Sequence, residues 1–300
     1  MKKYLCLLLA LCMVLALSAC GSSAPAPAAD PTAAPADDAA APADDAAAPA
    51  DAAAEITTVV PGKLTVATSP DFAPYEFYAV GEDGTPYLAG FDMALAQYIA
   101  DGLGLELEVI PMDFDGTIAE LTNKNVDLGM AGYSPKPERA EVMDFSDVYI
   151  TGGQSFVCLQ SNKDKFPSLE ATNDASLSIG AQVGSIQVDL AQENSPDADI
   201  VQLSKVTDII SELLAGKLDG AYIETMVAES YAKNYPELCL VLEVPYDSEG
   251  SVVGVYKGNA ALLAEVNKLI AECKDSGTFA QYVIDANELA SGEIIEGLID

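Results

Sequence analysis

The chain has 300 residues, half of them hydrophobic, which is enough to bury a sizeable core in one large domain or two modest ones. Its 47 Asp and Glu against 14 Lys and Arg leave a formal net charge of -33, a surface that repels nucleic acid and anionic lipid alike. With no histidine, a Ser-His-Asp triad and a His-ligated metal are excluded.

The first residues read as an export signal: Lys2 and Lys3 form a basic start, and Leu5 to Leu17 an apolar run too short for a comfortable membrane span. The run ends in "LSAC", residues 17–20. Residues 21 to about 56 are almost entirely Ala, Pro and Asp, with "PADDAAA" recurring at Pro35 and Pro42 and a further proline at Pro49. Proline breaks a helix and no large apolar residue supplies a seam, so the seven-residue period reads as a self-repelling tether and not as a coiled coil.

From Gly62 the pattern becomes strands alternating with helices. "KLTVATS" is a strand, and "YEFYAVGEDGTPYLAGFD" is a hairpin turning at Asp83-Gly84. Phe91, Leu95, Tyr98, Ile99 and Leu103 mark one helical face closed by Gly104. "LELEVIPM" alternates as a strand, Asp115 is a candidate cap for the helix "GTIAELTN", and "VDLGMAG" is a short apolar strand. Further on, "SLSIGAQ", "ADIVQL" and "LDGAYIE" read as strands, and "SIQVDLAQE", "VTDIISELLAGK" and "VAESYAKN" as helices. The alternation implies α/β sheets covered on both faces. Extended stretches at "GGQSFVCLQ" and "GSVVGVYK" are spaced as if the chain crosses between two lobes and later returns.

Several residues draw notice on chemical grounds. Arg139 is one of few cations, and its planar fork suits a carboxylate. Gly184 and Ser185 fall between a strand and a helix, where free amide N–H groups and the helix dipole can receive an anion, although serine is also a frequent cap with no ligand. Glu224 closes a strand at a helix start. Phe72 and Phe114 lie in loop-like stretches and not in periodic ones, which favours a cleft over a core. Tyr75 and Phe77 read as core. Cys158, Cys239 and Cys273 are odd in number and widely separated, so neither a disulfide framework nor a metal pattern is indicated; one incidental pair is open, and the sequence does not choose it.

The ordered motifs "ATSPDFAPYEF", "GFDMALAQYIADGLG", "NVDLGMAGYSPKPER", "FSDVYI", "VGS", "GKLDGAYIE" and "VYKGNAALLAEVNKLI" resemble the extracellular solute-binding proteins of ABC importers for polar amino acids, from Leu64 to about Ile284. The resemblance implies a two-lobed, type II periplasmic-binding-protein-like α/β fold whose lobes are joined by a two-strand hinge and close on an amino acid. It divides the chain into a signal peptide at 1–19, a tether at 20–56, lobe 1 at 57–155, lobe 2 at 156–250, and a return segment with an acidic tail at 251–300. "LSAC" resembles a lipobox, making Cys20 the lipidated residue of a monomer anchored on the outer face of the cell membrane, or facing the periplasm where the host has an outer membrane. The implied partners are a free amino acid and a membrane permease, with no nucleic acid, cofactor or metal and no catalysis. A dehydratase or a ligand-sensing receptor on the same fold is the alternative.

The same resemblance assigns the ligand carboxylate to Arg139, the Ser134 hydroxyl, the Ala131 and Gly132 backbone, and Gly184 and Ser185. It gives the ligand ammonium to Glu224, where relatives carry aspartate, and the aliphatic part to Phe72 and Phe114. Ser69 stands where relatives usually carry an aspartate for the ligand side chain. Losing that charge favours a neutral side chain over a cationic one, unless Asp71, Glu76 or Asp115 turns inward.

Overall fold

A computed structural model of the chain describes residues 56–248 and 250–291. The signal segment, Cys20, all of the tether before Ile56 and the last residues of the acidic tail lie outside the described residues.

Strands β1 (Lys63–Thr68), β5 (Glu106–Pro111), β6 (Leu128–Tyr133), β7 (Met143–Phe145) and β13 (Val252–Tyr256) form one sheet in the order β5-β1-β6-β13-β7. The first three pair in parallel, while β13 runs antiparallel to both β6 and β7. A second sheet has the order β10-β9-β11-β8-β12, from β8 (Gln154–Leu159), β9 (Ser178–Gln182), β10 (Asp199–Leu203), β11 (Gly220–Glu224) and β12 (Leu238–Glu243). Here β9 pairs in parallel with β10 and β11, and β8 antiparallel with β11 and β12. A small third sheet, β2 (Asp71–Phe72), β3 (Glu76–Val80) and β4 (Pro86–Ala89), contains the hairpin read at Asp83-Gly84.

Parallel pairs need crossovers, and helices supply them. On the first sheet these are α1 (Phe91–Leu103) and α2 (Phe114–Thr122), with α7 (Ala260–Asp275) and α8 (Thr278–Ala290) packed on α1. On the second, α4 (Ile186–Asn194), α5 (Val206–Leu214) and α6 (Thr225–Asn234) cover the strands. The face read from the sequence of α1 is the buried one: Phe91, Leu95 and Ile99 are fully buried, with Tyr98 and Leu103 packed beside them. Each large aliphatic side chain so placed stabilises the fold by about 1.5–3 kcal/mol. Gly104 ends the helix in the left-handed conformation at φ 67°, where its amide returns to Ala100 and Asp101 carbonyls.

The cap of α2 differs from expectation. Asp113, not Asp115, is the N-cap, and Asp115 sits inside the first turn, where its charge complements the helix dipole. Strand β12 and the single-turn α3 (Pro137–Ala140) have no counterpart among the predicted elements. One helical turn is too short to show a period.

The two large sheets are joined by two adjacent segments, one entering β8 and one leaving β12. They are tied at an isolated bridge between Ile150 and Ser251, with Ser251 N donating to Ile150 O at 2.8 Å and Tyr149 N to Ser251 O at 3.0 Å. Tyr246 adds a bond from its hydroxyl to Gly152 O at 2.9 Å. The cleft between the sheets opens beside this tie.

Candidate functional site

A cavity with about 380 Å³ of empty space, its mouth included, lies where the two sheets face each other. From the first sheet's side it is lined by Phe72, Phe114, Ala131, Gly132, Ser134 and Arg139; from the second by Gln154, Gln182, Ser185, Ile186, Gln187 and Glu224; and from the joining segments by Gly152, Tyr246 and Ser251.

Arg139 reaches it from α3, which starts at Pro137 and holds the arginine just beyond β6. Only 7% exposed, it donates from Nη1 to Ser134 O and from Nη2 to Gly184 O, both at 2.9 Å. Its guanidinium carbon stands 5.4 Å from the centre of the Phe114 ring and 5.8 Å from that of Tyr133. Among the described residues no carboxylate forms an ion pair with it. Burial is accordingly the chief influence on its pKa, which is lowered. A buried cation held by carbonyls alone is poorly compensated, and a carboxylate entering the cavity would complete it.

Glu224 provides the complementary charge. It ends β11 and caps α6, accepting from Val227 N at 2.9 Å through Oε2, while Oε1 accepts from Tyr75 Oη at 3.3 Å and from Gly153 N at 3.4 Å. Desolvation raises its carboxyl to about 7 despite these donors. Gly152 leaves room for this carboxylate: a Cβ there would lie 2.6 Å from Glu224 Oε1 and push it aside. Of the lining residues Arg139 is the one cation and Glu224 the one anion.

Ser185 is the N-cap of α4: its Oγ accepts from Gln187 N and donates to Gln182 O. It lines the cavity as well as capping the helix. Gly132, at φ 57°, lets β6 turn beneath Phe72, whose ring leaves no room for a Cβ. Phe72 and Phe114 belong to the hydrophobic core and to the cavity wall at once. Tyr75 and Phe77 are buried as read, though the Tyr75 hydroxyl serves Glu224.

Two predicted residues do not line the cavity. Gly184 stands behind it, offering its carbonyl to Arg139. Ser69 is buried, its hydroxyl donating to Asp71 Oδ1 at 2.8 Å. None of Asp71, Glu76 and Asp115 lines the cavity; Asp71 is buried, its Oδ2 accepting from Gln182 Nε2 at 3.1 Å and from Val206 N, and desolvation raises its carboxyl to about 6. Gln182 therefore separates this carboxylate from the cavity. Sequence reasoning missed Gln154, Gln182, Gln187, Tyr246 and Ser251. Gln182 ends a strand two residues before the "GS" pair, and strand ends beside such a turn are where α/β sheets present side chains to a crevice; Gln187 lies in the first turn of α4 just after that pair, and Gln154, Tyr246 and Ser251 sit on or beside the joining segments, which carry no motif.

Residues 64–284 match the family model described as bacterial extracellular solute-binding proteins, family 3. The chain belongs to that family. This solute-binding protein is 32% identical over 282 residues to the arginine-binding extracellular protein ArtP of Bacillus subtilis, covering 92% of this chain and 94% of the relative. Its fold superposes with a TM-score of 0.74 on the L-arginine-bound substrate-binding protein AbpA of an amino acid ABC transporter of Streptococcus pneumoniae, at 33% identity over 77% of this chain and 97% of that one. A more partial similarity, 29% over 187 residues, covers 62% of this chain and 68% of the cyclohexadienyl dehydratase of Pseudomonas aeruginosa. The fold is thus the type II periplasmic-binding-protein fold.

Proposed function

We propose that this protein captures a free amino acid in the cavity and delivers it to the permease of an ABC importer. The observation that carries this reading is Arg139, buried without a carboxylate partner among the described residues and facing a cavity that Glu224 also lines. That pairing suits a zwitterion: the ligand carboxylate meets the Arg139 fork, Ser134 and the start of α4, and its ammonium meets Glu224. Phe72 and Phe114 flank the aliphatic carbons. With one acid and one base used by the main-chain groups, what remains for the ligand side chain is glutamine amides and hydroxyls, which supports a neutral polar side chain. Arginine, the ligand named for ArtP and AbpA, would have to displace Gln182 from Asp71 to reach a counter-charge. Calorimetric titration across the amino acids tests both points: no binder overturns the reading, and arginine binding at least tenfold tighter than every neutral amino acid, about 1.4 kcal/mol, overturns the choice of side chain.

In this reading the signal at 1–19 is cleaved, Cys20 carries lipid, the tether spans 20–56, and the protein acts as a monomer on the outer face of the membrane. Cys20→Ala then releases the protein from the membrane fraction with ligand binding intact; retention of that variant overturns the anchor.

Glu224 favours a second reading. A carboxyl held near neutrality inside a cavity that also binds carboxylate is suited to donate a proton to a leaving hydroxyl, as a cyclohexadienyl dehydratase requires. Turnover of such an acid by the wild type, abolished in Glu224→Gln, would establish it; absence of turnover leaves the binding function alone.

A further inference from the structure

Three cysteines lie among the described residues, and the fold separates them sharply. Cys273 is buried in α7, packed in the core with the first sheet. Cys158 and Cys239 are register partners on the neighbouring antiparallel strands β8 and β12, and their sulfurs stand 3.9 Å apart. Directly opposed residues of an antiparallel pair have Cα atoms about 4.5 to 5.5 Å apart, within the roughly 4.4 to 6.8 Å that a disulfide bridges, so the strand pairing already holds the two cysteines in bridging range. The chain belongs to an extracellular family, and disulfides persist outside the cytoplasm.

We propose that Cys158 and Cys239 form an intramolecular disulfide in the exported protein, with Cys273 left as a thiol. Cys239 is the partly exposed member of the pair, on the edge strand, so a small-molecule disulfide reaches it first. Its thiolate attacks one sulfur of that oxidant, forming a mixed disulfide and expelling one thiolate. Cys158 then loses its proton to solvent and attacks the Cys239 sulfur, expelling the second. Two protein thiols are oxidised and the small disulfide is reduced to two thiols. Burial raises the Cys158 thiol above the usual range, which keeps it protonated and slows this second step.

The location gives the bond a purpose. β12 is an edge strand, and its pairing with β8 slips register between Leu240 and Leu242, immediately beyond Cys239. An edge strand with an irregularity is the part of a sheet most open to slippage. A covalent tie at Cys239 fixes the register of the strand pair from which both joining segments emerge, and it closes a long loop of chain in the unfolded state.

Peptide mapping without reduction tests the assignment, because trypsin places the three cysteines in separate peptides: Cys158 between Arg139 and Lys163, Cys239 between Lys233 and Lys257, and Cys273 between Lys268 and Lys274. The full chain, exported by a bacterial host and equilibrated with oxidised glutathione, is alkylated and digested. The expected result is a linked Cys158–Cys239 peptide pair with Cys273 alkylated, together with a melting temperature that falls by roughly 5 °C on reduction. In Cys239→Ala the reductant has no effect on melting. Alkylation of all three thiols after equilibration, or a link that includes Cys273, overturns the assignment; the mapping uses wild type alone, so its outcome does not depend on the variant folding.

Discussion

Arg139 and Glu224 are each held by neutral neighbours, and each consequently depends on what enters the cavity. Arg139→Ala removes the one lining cation, and truncating half of a buried charge pair typically costs about 2 to 5 kcal/mol of binding, roughly 30-fold or more in affinity. Arg139→Lys rescues only part of this, since an ammonium cannot make two parallel bonds; calorimetry on both variants checks the order. On the reading proposed above, in which Glu224 receives the ligand ammonium, the affinity should depend on pH: burial raises the carboxyl of the empty protein to about 7, and the ammonium pairs with its ionised form. At pH 6 about one molecule in ten is competent, so the apparent dissociation constant rises about tenfold from its value above pH 8. Glu224→Gln removes that pH dependence along with most of the affinity, and titrations at the two pH values read both effects.

Among the elements, β3 and α1 bring two acids together out of water. Glu76 and Asp92 are both fully buried; apart from the Asp92 carboxyl itself no group hydrogen-bonds to the Glu76 oxygens, while Asp92 also accepts from Tyr149 Oη at 3.0 Å and Gly132 N at 3.3 Å through Oδ2. Desolvation, reinforced by each other's charge, raises the Glu76 carboxyl well above its usual range, while desolvation raises that of Asp92 to about 6. Carboxyls raised on folding bind more protons folded than unfolded, so their stability is complete near pH 4 and is lost as the pH rises through 6 and beyond. Urea midpoints should fall between pH 4.5 and 7.5, and Glu76→Gln, which supplies a permanent donor, should flatten the profile. None of this was legible in "PYEFYAV", because an acid in a strand reads as solvent-facing until the sheet that covers it is known. What was legible followed simple periods: the buried face of α1, the Gly104 stop and most strands. The motifs likewise brought Phe72, Phe114, Ala131, Gly132, Ser134, Arg139, Ser185 and Glu224 to one cavity. The glutamines of the wall escaped because their roles depend on partners far away in sequence, as with Gln187 Nε2 donating to Gln154 Oε1 at 2.7 Å.

At the scale of the molecule, the cleft is held by hydrogen bonds that cross it: Arg139 to Gly184, Gln182 and Val206 to Asp71, Tyr231 Oη to Asp71 O at 3.0 Å, and Lys136 to Asp189. Asp71 is the common receiver of three of these, so Asp71→Ala should open the empty protein. Small-angle scattering should then show a larger unliganded radius of gyration and a greater contraction at saturating ligand than in wild type; equal radii would show that Asp71 does not hold the lobes. The strand order carries a further consequence for how the chain is made. All of the second sheet comes from one stretch, residues 154–243, whereas in the first sheet β13 sits between β6 and β7 and is the last strand among the described residues. A chain emerging from its N-terminus therefore completes the second sheet while the first still has a gap between β6 and its edge strand β7. That gap leaves β6 and β7 without the strand they share until residue 252 has emerged, so the half of the molecule that begins first is the half that closes last.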